Sequence, residues 1–109
     1  MSKIIKPKNE VELNYVIKNS KACIVDFYGD GGPPCKQLGK YLEEVVEKNK
    51  YENISFVKID CSDNAFEKTI DSHDISSIPR ILGYKKGSSY FYITWFDKKK
   101  LDKCMEEMN

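Results

Sequence analysis

Several signals that would assign this 109-residue sequence to a specialised class are missing. Its 18 basic and 17 acidic residues leave a net charge of +1, so the sequence does not indicate a nucleic-acid-binding surface. No apolar run approaches the length that crosses a bilayer, and the polar N-terminus lacks the apolar core of a secretory signal. We therefore expect a cytoplasmic protein with no nucleic-acid or membrane partner.

Metal-ligand and disulfide patterns are also missing. The four cysteines (Cys23, Cys35, Cys61 and Cys104) lie far apart without C-x-x-C spacing, which argues against a zinc ribbon and a disulfide scaffold. His73 is the only histidine, so neither a metal centre nor a Cys–His nucleophile pair is indicated, and we interpret it as solvated. No metal or cofactor is predicted, and a reducing compartment suits these thiols.

The composition itself is that of a globular domain, with 40% apolar, 12% aromatic and 32% charged residues. Short β-rich runs alternate with helical patterns, which predicts one α/β domain over residues 1–109. The predicted mixed sheet has about five strands, at 3–5, 22–28, 54–60, 80–84 and 90–94. About four helices flank it, at 9–18, 34–48, 65–72 and after Asp97.

Two of these elements carry further expectations. For the first helix the apolar pattern leaves two choices, because either Val11, Tyr15 and Val16 or Leu13 and Ile17 could face inward. The strand at 22–28 is apolar on both sides except at Asp26, which predicts a central, buried strand.

The segment between this strand and the second helix contains the most informative chemistry. The strand ends at GDGGPP (29–34), and a helix opens around Cys35. Thiol–disulfide exchange uses an acidified thiolate to attack and a second cysteine to resolve the mixed disulfide. The first turn of a helix favours a thiolate at Cys35, whereas Gly32 supplies no second thiol.

A resemblance to a known family rests on the order of elements and on three segments, VDFYGDGGPPCKQL (25–38), FVKID (56–60) and SIPR (77–80). In these features the whole chain resembles the thioredoxin family. The family's active-site pattern is Trp-Cys-Gly-Pro-Cys-Lys. Alignment without gaps places on it Gly31, Gly32, Pro33, Pro34, Cys35 and Lys36. The resemblance therefore implies a thioredoxin fold and a thiol–disulfide redox protein without the attacking cysteine, whose activity is impaired or rests on Cys35 alone.

The resemblance also gives Asp26 a role. In thioredoxins the matching aspartate lies beneath the active site and relays a proton for the resolving cysteine, helped by a lysine that matches Lys58. A carboxylate in an apolar strand should have a raised pKa, which suits proton transfer near neutral pH. The alternative is a structural carboxylate held by Lys58, which the missing thiol favours.

Pro79 matches the cis-proline that faces the thioredoxin active-site loop, where neighbouring backbone pairs with an extended segment of a bound protein. Such strand addition needs no thiol. The implied binding groove comprises Gly31, Gly32, Pro33, Pro34, Ile78, Pro79, Arg80 and Trp95. Arg80 and Trp95 stand where thioredoxins usually carry threonine and glycine, and both types are common in binding hot spots. Core packing beside Phe96 is the alternative for Trp95.

The sequence is compatible with two functions. The first is single-thiol redox chemistry, in which Cys35 accepts glutathione or forms mixed disulfides with a protein substrate. The second is a redox-inactive binding module that holds an extended segment of a partner protein in the groove around Pro79. A dithiol reductase would require Cys23, Cys61 or Cys104 to approach Cys35, and their spacing does not favour this.

Overall fold

The computed structural model describes residues 3–30 and 32–109. Within them the elements follow one another as α1 (Glu10–Asn19), β1 (Ala22–Tyr28), α2 (Pro33–Glu47), β2 (Ile54–Asp60), α3 (Glu67–Ser72), β3 (Arg80–Lys85), β4 (Ser88–Thr94) and α4 (Lys98–Met108). A 3₁₀ turn, Asn64–Phe66, leads into α3. The predicted alternation of strands and helices is confirmed.

The strands form one mixed sheet in the order β2-β1-β3-β4. β1 runs parallel to β2 and antiparallel to β3, so it occupies the centre of the sheet, and six of its seven residues are buried. β3 and β4 form a hairpin whose turn residues, Lys86 and Gly87, both have positive φ angles. Such a two-residue turn matches the twist of the strands that it joins.

The strand expected at residues 3–5 is reduced to one bridging residue. Ile5 pairs in parallel with Val57: its N–H donates to the Phe56 carbonyl at 2.7 Å, and the Lys58 N–H donates to its carbonyl at 3.0 Å. The sheet of the described residues therefore has four strands and this bridge, close to the five strands predicted.

Helices cover both faces of the sheet. One face is covered by α2 and α4 through an apolar cluster that includes Ile24, Leu38 and Leu101. The other face is covered by α1 and α3 through a cluster that includes Val25 and Phe66. Within the described residues no helix is both long and apolar enough to cross a membrane.

The structure decides between the two inner faces predicted for α1. Leu13 is buried and Ile17 is half-buried, whereas Val11 is 77% exposed and Tyr15 is 68% exposed. The choice of Leu13 and Ile17 is therefore correct. Val16, from the other choice, is also half-buried beside them.

Candidate active site

Cys35 lies where the central strand passes into a helix. Gly32 is the N-cap of α2, and Pro33 and Pro34 occupy its first two positions, where a missing N–H costs no helical hydrogen bond. Pro33 is exposed and Pro34 half-buried. Cys35 follows in the same turn and is 7% exposed. The local sequence thus fixes this thiol at the end of the sheet.

A pocket of about 300 Å³ opens to the surface beside Cys35. It is lined by Asp26, Tyr28, Gly29, Cys35, Lys36, Gly39, Lys40, Glu43 and Lys58. The structure therefore brings together the two residues predicted to be catalytic, Cys35 and Asp26, with Lys58 beside them.

Asp26 is the buried charged residue of the described core, with 3% of its surface exposed. Burial raises its pKa to about 7, although the positive charge of Lys58 opposes this rise. Its Oδ1 atom accepts no hydrogen bond from any described residue. The carboxyl group therefore titrates near neutral pH, in the range that proton transfer to or from a thiol requires.

Lys58 does not hold Asp26 in an ion pair. The two residues are direct neighbours across β1 and β2. However, the Lys58 ammonium lies 4.8 Å from the centre of the Tyr28 ring, and no ion pair joins it to Asp26 among the described residues. The salt bridge expected if Asp26 were structural is absent from this part of the chain.

Gly32 adopts a backbone conformation with φ 79° and ψ −153°. This region is essentially restricted to glycine, because a Cβ atom would clash with its own backbone. A Cβ at this position would meet no described atom within 4 Å, so backbone geometry rather than space restricts the residue. Gly31, which was also predicted to form part of the groove, lies outside the described residues.

Pro79 and Trp95 lie together at the start of β3 and the end of β4. The Ile78–Pro79 peptide bond is cis, and the Trp95 N–H donates to the Pro79 carbonyl at 3.0 Å. Trp95 has φ 78° and is 56% exposed, so the alternative of core packing is wrong. Ile78 is half-buried, and its Cδ1 would lie 2.7 Å from a Cβ built on Gly29, which connects it to the Cys35 pocket.

The structure separates Arg80 from this group. Arg80 pairs with Phe27 in the β1–β3 register, and Phe27 belongs to the cluster beneath α1 and α3. Because side chains alternate along a strand, Arg80 lies on the sheet face opposite α2. It lines a different pocket, together with Tyr84, and the expected grouping of Arg80 with Cys35 is not observed.

All four cysteines are free. Burial raises the pKa of Cys23 to about 12. Burial, followed by the charges of Asp60, Asp26 and Cys35, raises the pKa of Cys61 to about 11. Both thiols therefore stay protonated at neutral pH and are weak nucleophiles. Cys104 is half-buried against the α4 side of the core, as expected for a small apolar residue.

Comparison with known proteins agrees with this geometry. The thioredoxin family profile matches residues 4–107. The chain is 37% identical over 79 residues to thioredoxin of Mycoplasmoides gallisepticum, which covers 72% of this chain and 75% of the relative. It is 33% identical over 81 residues to thioredoxin 1 of Plasmodium falciparum, with 74% of each chain covered.

Solved structures agree on the fold. The oxidised thioredoxin of Plasmodium falciparum superimposes with a TM-score of 0.81 and 24% identity, over 96% of this chain and 97% of that one. The thioredoxin of Malassezia sympodialis gives a TM-score of 0.87 with 18% identity, over 99% and 92%. On the evidence of its strands, its helices and these relatives, the chain belongs to the thioredoxin family of thiol–disulfide redox proteins.

Proposed function

We propose that this protein carries out thiol–disulfide exchange through Cys35 as its single reactive thiol, with Asp26 as the group that accepts and returns the proton. The observation that carries the proposal is that both residues line one pocket that opens to the surface. A carboxyl group with a pKa of about 7 is ionised in a large fraction of molecules at neutral pH and can take a thiol proton.

The chemistry proceeds in two exchanges at Cys35. The Cys35 thiol gives its proton to the Asp26 carboxylate, and the thiolate attacks one sulfur of a substrate disulfide. A bond forms between Cys35 and that sulfur, the substrate S–S bond breaks, and the other substrate sulfur leaves as a thiolate. An external thiol, such as glutathione, then attacks the substrate sulfur of the mixed disulfide, forms a substrate–glutathione disulfide and displaces Cys35 as a thiolate, which recovers its proton from Asp26. A second glutathione attacks that disulfide, so that the substrate thiol is released and glutathione disulfide forms.

The external thiol is required because the chain offers no efficient resolving cysteine. Gly32, three residues before Cys35, carries no sulfur. Cys23 and Cys61 have pKa values raised to about 12 and about 11, so few molecules carry their thiolates at neutral pH. We expect slow, glutathione-dependent turnover on protein substrates that present an extended segment beside Pro79.

Reaction with glutathione disulfide tests the first exchange. Mass spectrometry should show one glutathione adduct on the wild-type protein, mapped to Cys35 by proteolysis. Cys35→Ser should form none, whereas the matched control Cys61→Ser should react like the wild type. An adduct on Cys61 alone, or no adduct under conditions in which a free thiol reacts, would refute the assignment.

Insulin reduction tests the second exchange. With thioredoxin reductase alone the protein should show little turnover on insulin, and added glutathione should raise the rate above that of glutathione without the protein. If turnover is rapid without glutathione, a second cysteine must resolve the mixed disulfide, and the single-thiol mechanism is wrong.

One observation favours the second candidate, a binding module that needs no thiol. Trp95 places a largely exposed aromatic ring beside Pro79 on a left-handed backbone. Exposed tryptophan side chains are frequent anchors in protein interfaces. For a given partner, equal affinity of Cys35→Ser and the wild type, with loss of affinity in Trp95→Gly, would support this candidate. Affinity that disappears in Cys35→Ser would support the redox function.

A further inference from the structure

We propose that a second pocket, on the sheet face away from Cys35, binds a small ligand that joins an oxyanion to a flat ring. This Arg80 pocket has a volume of about 560 Å³. Its lining includes His73, Asp74, Arg80, Tyr84, Tyr90 and Tyr92. The proposal does not rest on thiol chemistry, because neither Cys35 nor Asp26 contributes to this pocket.

The walls of the Arg80 pocket are held by the sheet and by the end of α3. Tyr92 pairs with Leu82 across β3 and β4, and by alternation Arg80, Leu82 and Tyr84 share one face of β3. The Tyr84 hydroxyl lies 3.2 Å from His73 Nε2, which ties β3 to the segment after α3. The pocket is therefore largely preformed, and its volume lies within the range of about 300–1,000 Å³ that is typical of small-molecule sites.

Arg80 indicates the charge of the ligand. Its Nε atom is buried and donates to no acceptor among the described residues. Among the described residues the guanidinium of Arg80 takes part in no ion pair; the pair that is present joins Lys98 to Asp102 on α4. Arg80 as a whole is half-buried, and an N–H group that is buried without an acceptor is unfavourable. The planar guanidinium matches the two oxygens of a carboxylate or phosphate, so an oxyanion is the group that would satisfy it.

Two tyrosines indicate the shape of the ligand. Tyr90 is 44% exposed and Tyr92 is 68% exposed, although both contribute to the lining of the Arg80 pocket. Aromatic side chains provide flat apolar surfaces against which another ring can pack. An oxyanion beside Arg80 and a ring against the tyrosines would occupy both features at once.

Of the described residues that line the Arg80 pocket, Asp74 is the one acidic residue, and its charge opposes the binding of an anion. Its carboxylate is exposed and forms no ion pair with Arg80 in the described structure. It should repel an anion weakly, so its neutralisation should tighten binding. Asp74 has φ 53°, a conformation that asparagine adopts readily, and Asp74→Asn should therefore keep the local backbone.

Phenyl phosphate and benzoate are suitable probes, because they carry the two possible oxyanions on the same ring. Inorganic phosphate and acetate supply the anion without the ring, and benzyl alcohol supplies the ring without the anion. The readout is the backbone amide NMR signals of the lining residues Leu82 and Tyr84, followed in the wild-type protein and in Cys35→Ser. We expect a saturable shift, equal in both proteins, with at least one aryl anion. The three control compounds should bind about tenfold more weakly or less.

Variants then separate a built site from general attraction of anions. Arg80→Gln should weaken binding about tenfold or more, since hydrogen bonds to a charged group are lost, and Arg80→Lys should recover only part of the affinity. Tyr92→Ala should weaken it several-fold. The matched control is Tyr15→Ala on α1, because Tyr15 is also 68% exposed, and it should change nothing. Asp74→Asn should strengthen binding.

Three outcomes would overturn the proposal. Inorganic phosphate or acetate that binds as tightly as the aryl anions would show that no ring is recognised. Unchanged affinity in a folded Arg80→Gln variant would remove the oxyanion contact. Equal losses in Tyr92→Ala and Tyr15→Ala would remove the aromatic wall. Because all these measurements are independent of disulfide exchange, they do not depend on whether Cys35 reacts.

Discussion

The backbone N–H of Trp95 donates to the carbonyl oxygen of Pro79 at 3.0 Å, and this bond holds a tryptophan at φ 78°. Left-handed backbone costs a residue with a Cβ atom about 1–2 kcal/mol. The ring is 56% exposed, so packing offsets little of this cost. A strained and exposed aromatic residue beside Pro79 contributes little to folding, which supports the proposed role of Trp95 in binding.

Replacing Trp95 by glycine tests this explanation. Trp95→Gly relieves the backbone strain but adds freedom to the unfolded chain, so we expect stability to stay unchanged or to rise by up to about 1 kcal/mol. Trp95→Ala keeps a Cβ atom and should be less stable than Trp95→Gly. Urea unfolding of the three proteins measures the difference. A glycine variant less stable than the alanine variant would show that Trp95 is not strained.

The pKa of Asp26 predicts how stability depends on pH. Its ordinary value is 3.8 and its folded value is about 7, so the folded protein binds more protons than the unfolded chain between these values. Stability should therefore be highest near pH 4 and fall as the pH rises to about 7, by up to roughly 4 kcal/mol from this group. Asp26→Asn, which carries no charge, should lose this dependence.

Urea unfolding at several pH values checks this prediction. The free energy of unfolding of Asp26→Asn should exceed that of the wild type by up to roughly 4 kcal/mol near pH 8.5, and the difference should shrink toward pH 4. Lys58 opposes the rise in the Asp26 pKa, so Lys58→Met should extend the fall in stability to higher pH. A difference between Asp26→Asn and the wild type that is the same at both ends of the range would contradict the assignment.

Gly32 and Gly39 form a matched pair for a test of backbone strain. At both positions a Cβ would meet no described atom within 4 Å, but Gly32 has φ 79° and Gly39 lies within helix α2. Gly32→Ala and Gly32→Cys should each lower the free energy of unfolding by about 1–3 kcal/mol. Gly39→Ala should raise it by about 0.5–1 kcal/mol. Thermal unfolding compares them, and a stabilising Gly32→Ala would show that the loop relaxes freely.

Gly83 should tolerate no side chain while Phe91 is present. The Phe91 ring lies directly over Gly83, and a Cβ built there would clash with three of its ring carbons. Gly83→Ala should therefore cost about 1–3 kcal/mol through overpacking. Phe91→Leu should lower this cost when the two changes are combined. A double-mutant cycle measures the coupling, and additive losses would show that the clash does not determine the cost.

The sequence could predict features that depend on local pattern. The apolar run around Asp26 predicted a central, buried strand, and Pro34 predicted that Cys35 would lie in the first turn of a helix. Both are observed. For α1 the same kind of pattern allowed two inner faces, because apolar residues occur on both sides of that helix. Only packing against the sheet shows that Leu13 is buried and Tyr15 exposed.

Features that depend on register or on exact dihedral angles could not be predicted. The face to which Arg80 belongs follows from its pairing with Phe27, which no local pattern contains. Glycine permits the backbone of Gly32 but does not require it. A signal did exist for Trp95, because thioredoxins usually carry glycine there and the backbone has the positive φ that glycine favours.

The central sheet also separates the two proposed binding sites from each other. Asp26 lies on the side of α2, and Arg80, one strand away, lies on the side of α1 and α3. A molecule bound at either position would leave the other accessible. If both proposals hold, one copy of the domain can bind the small ligand and the protein substrate at the same time.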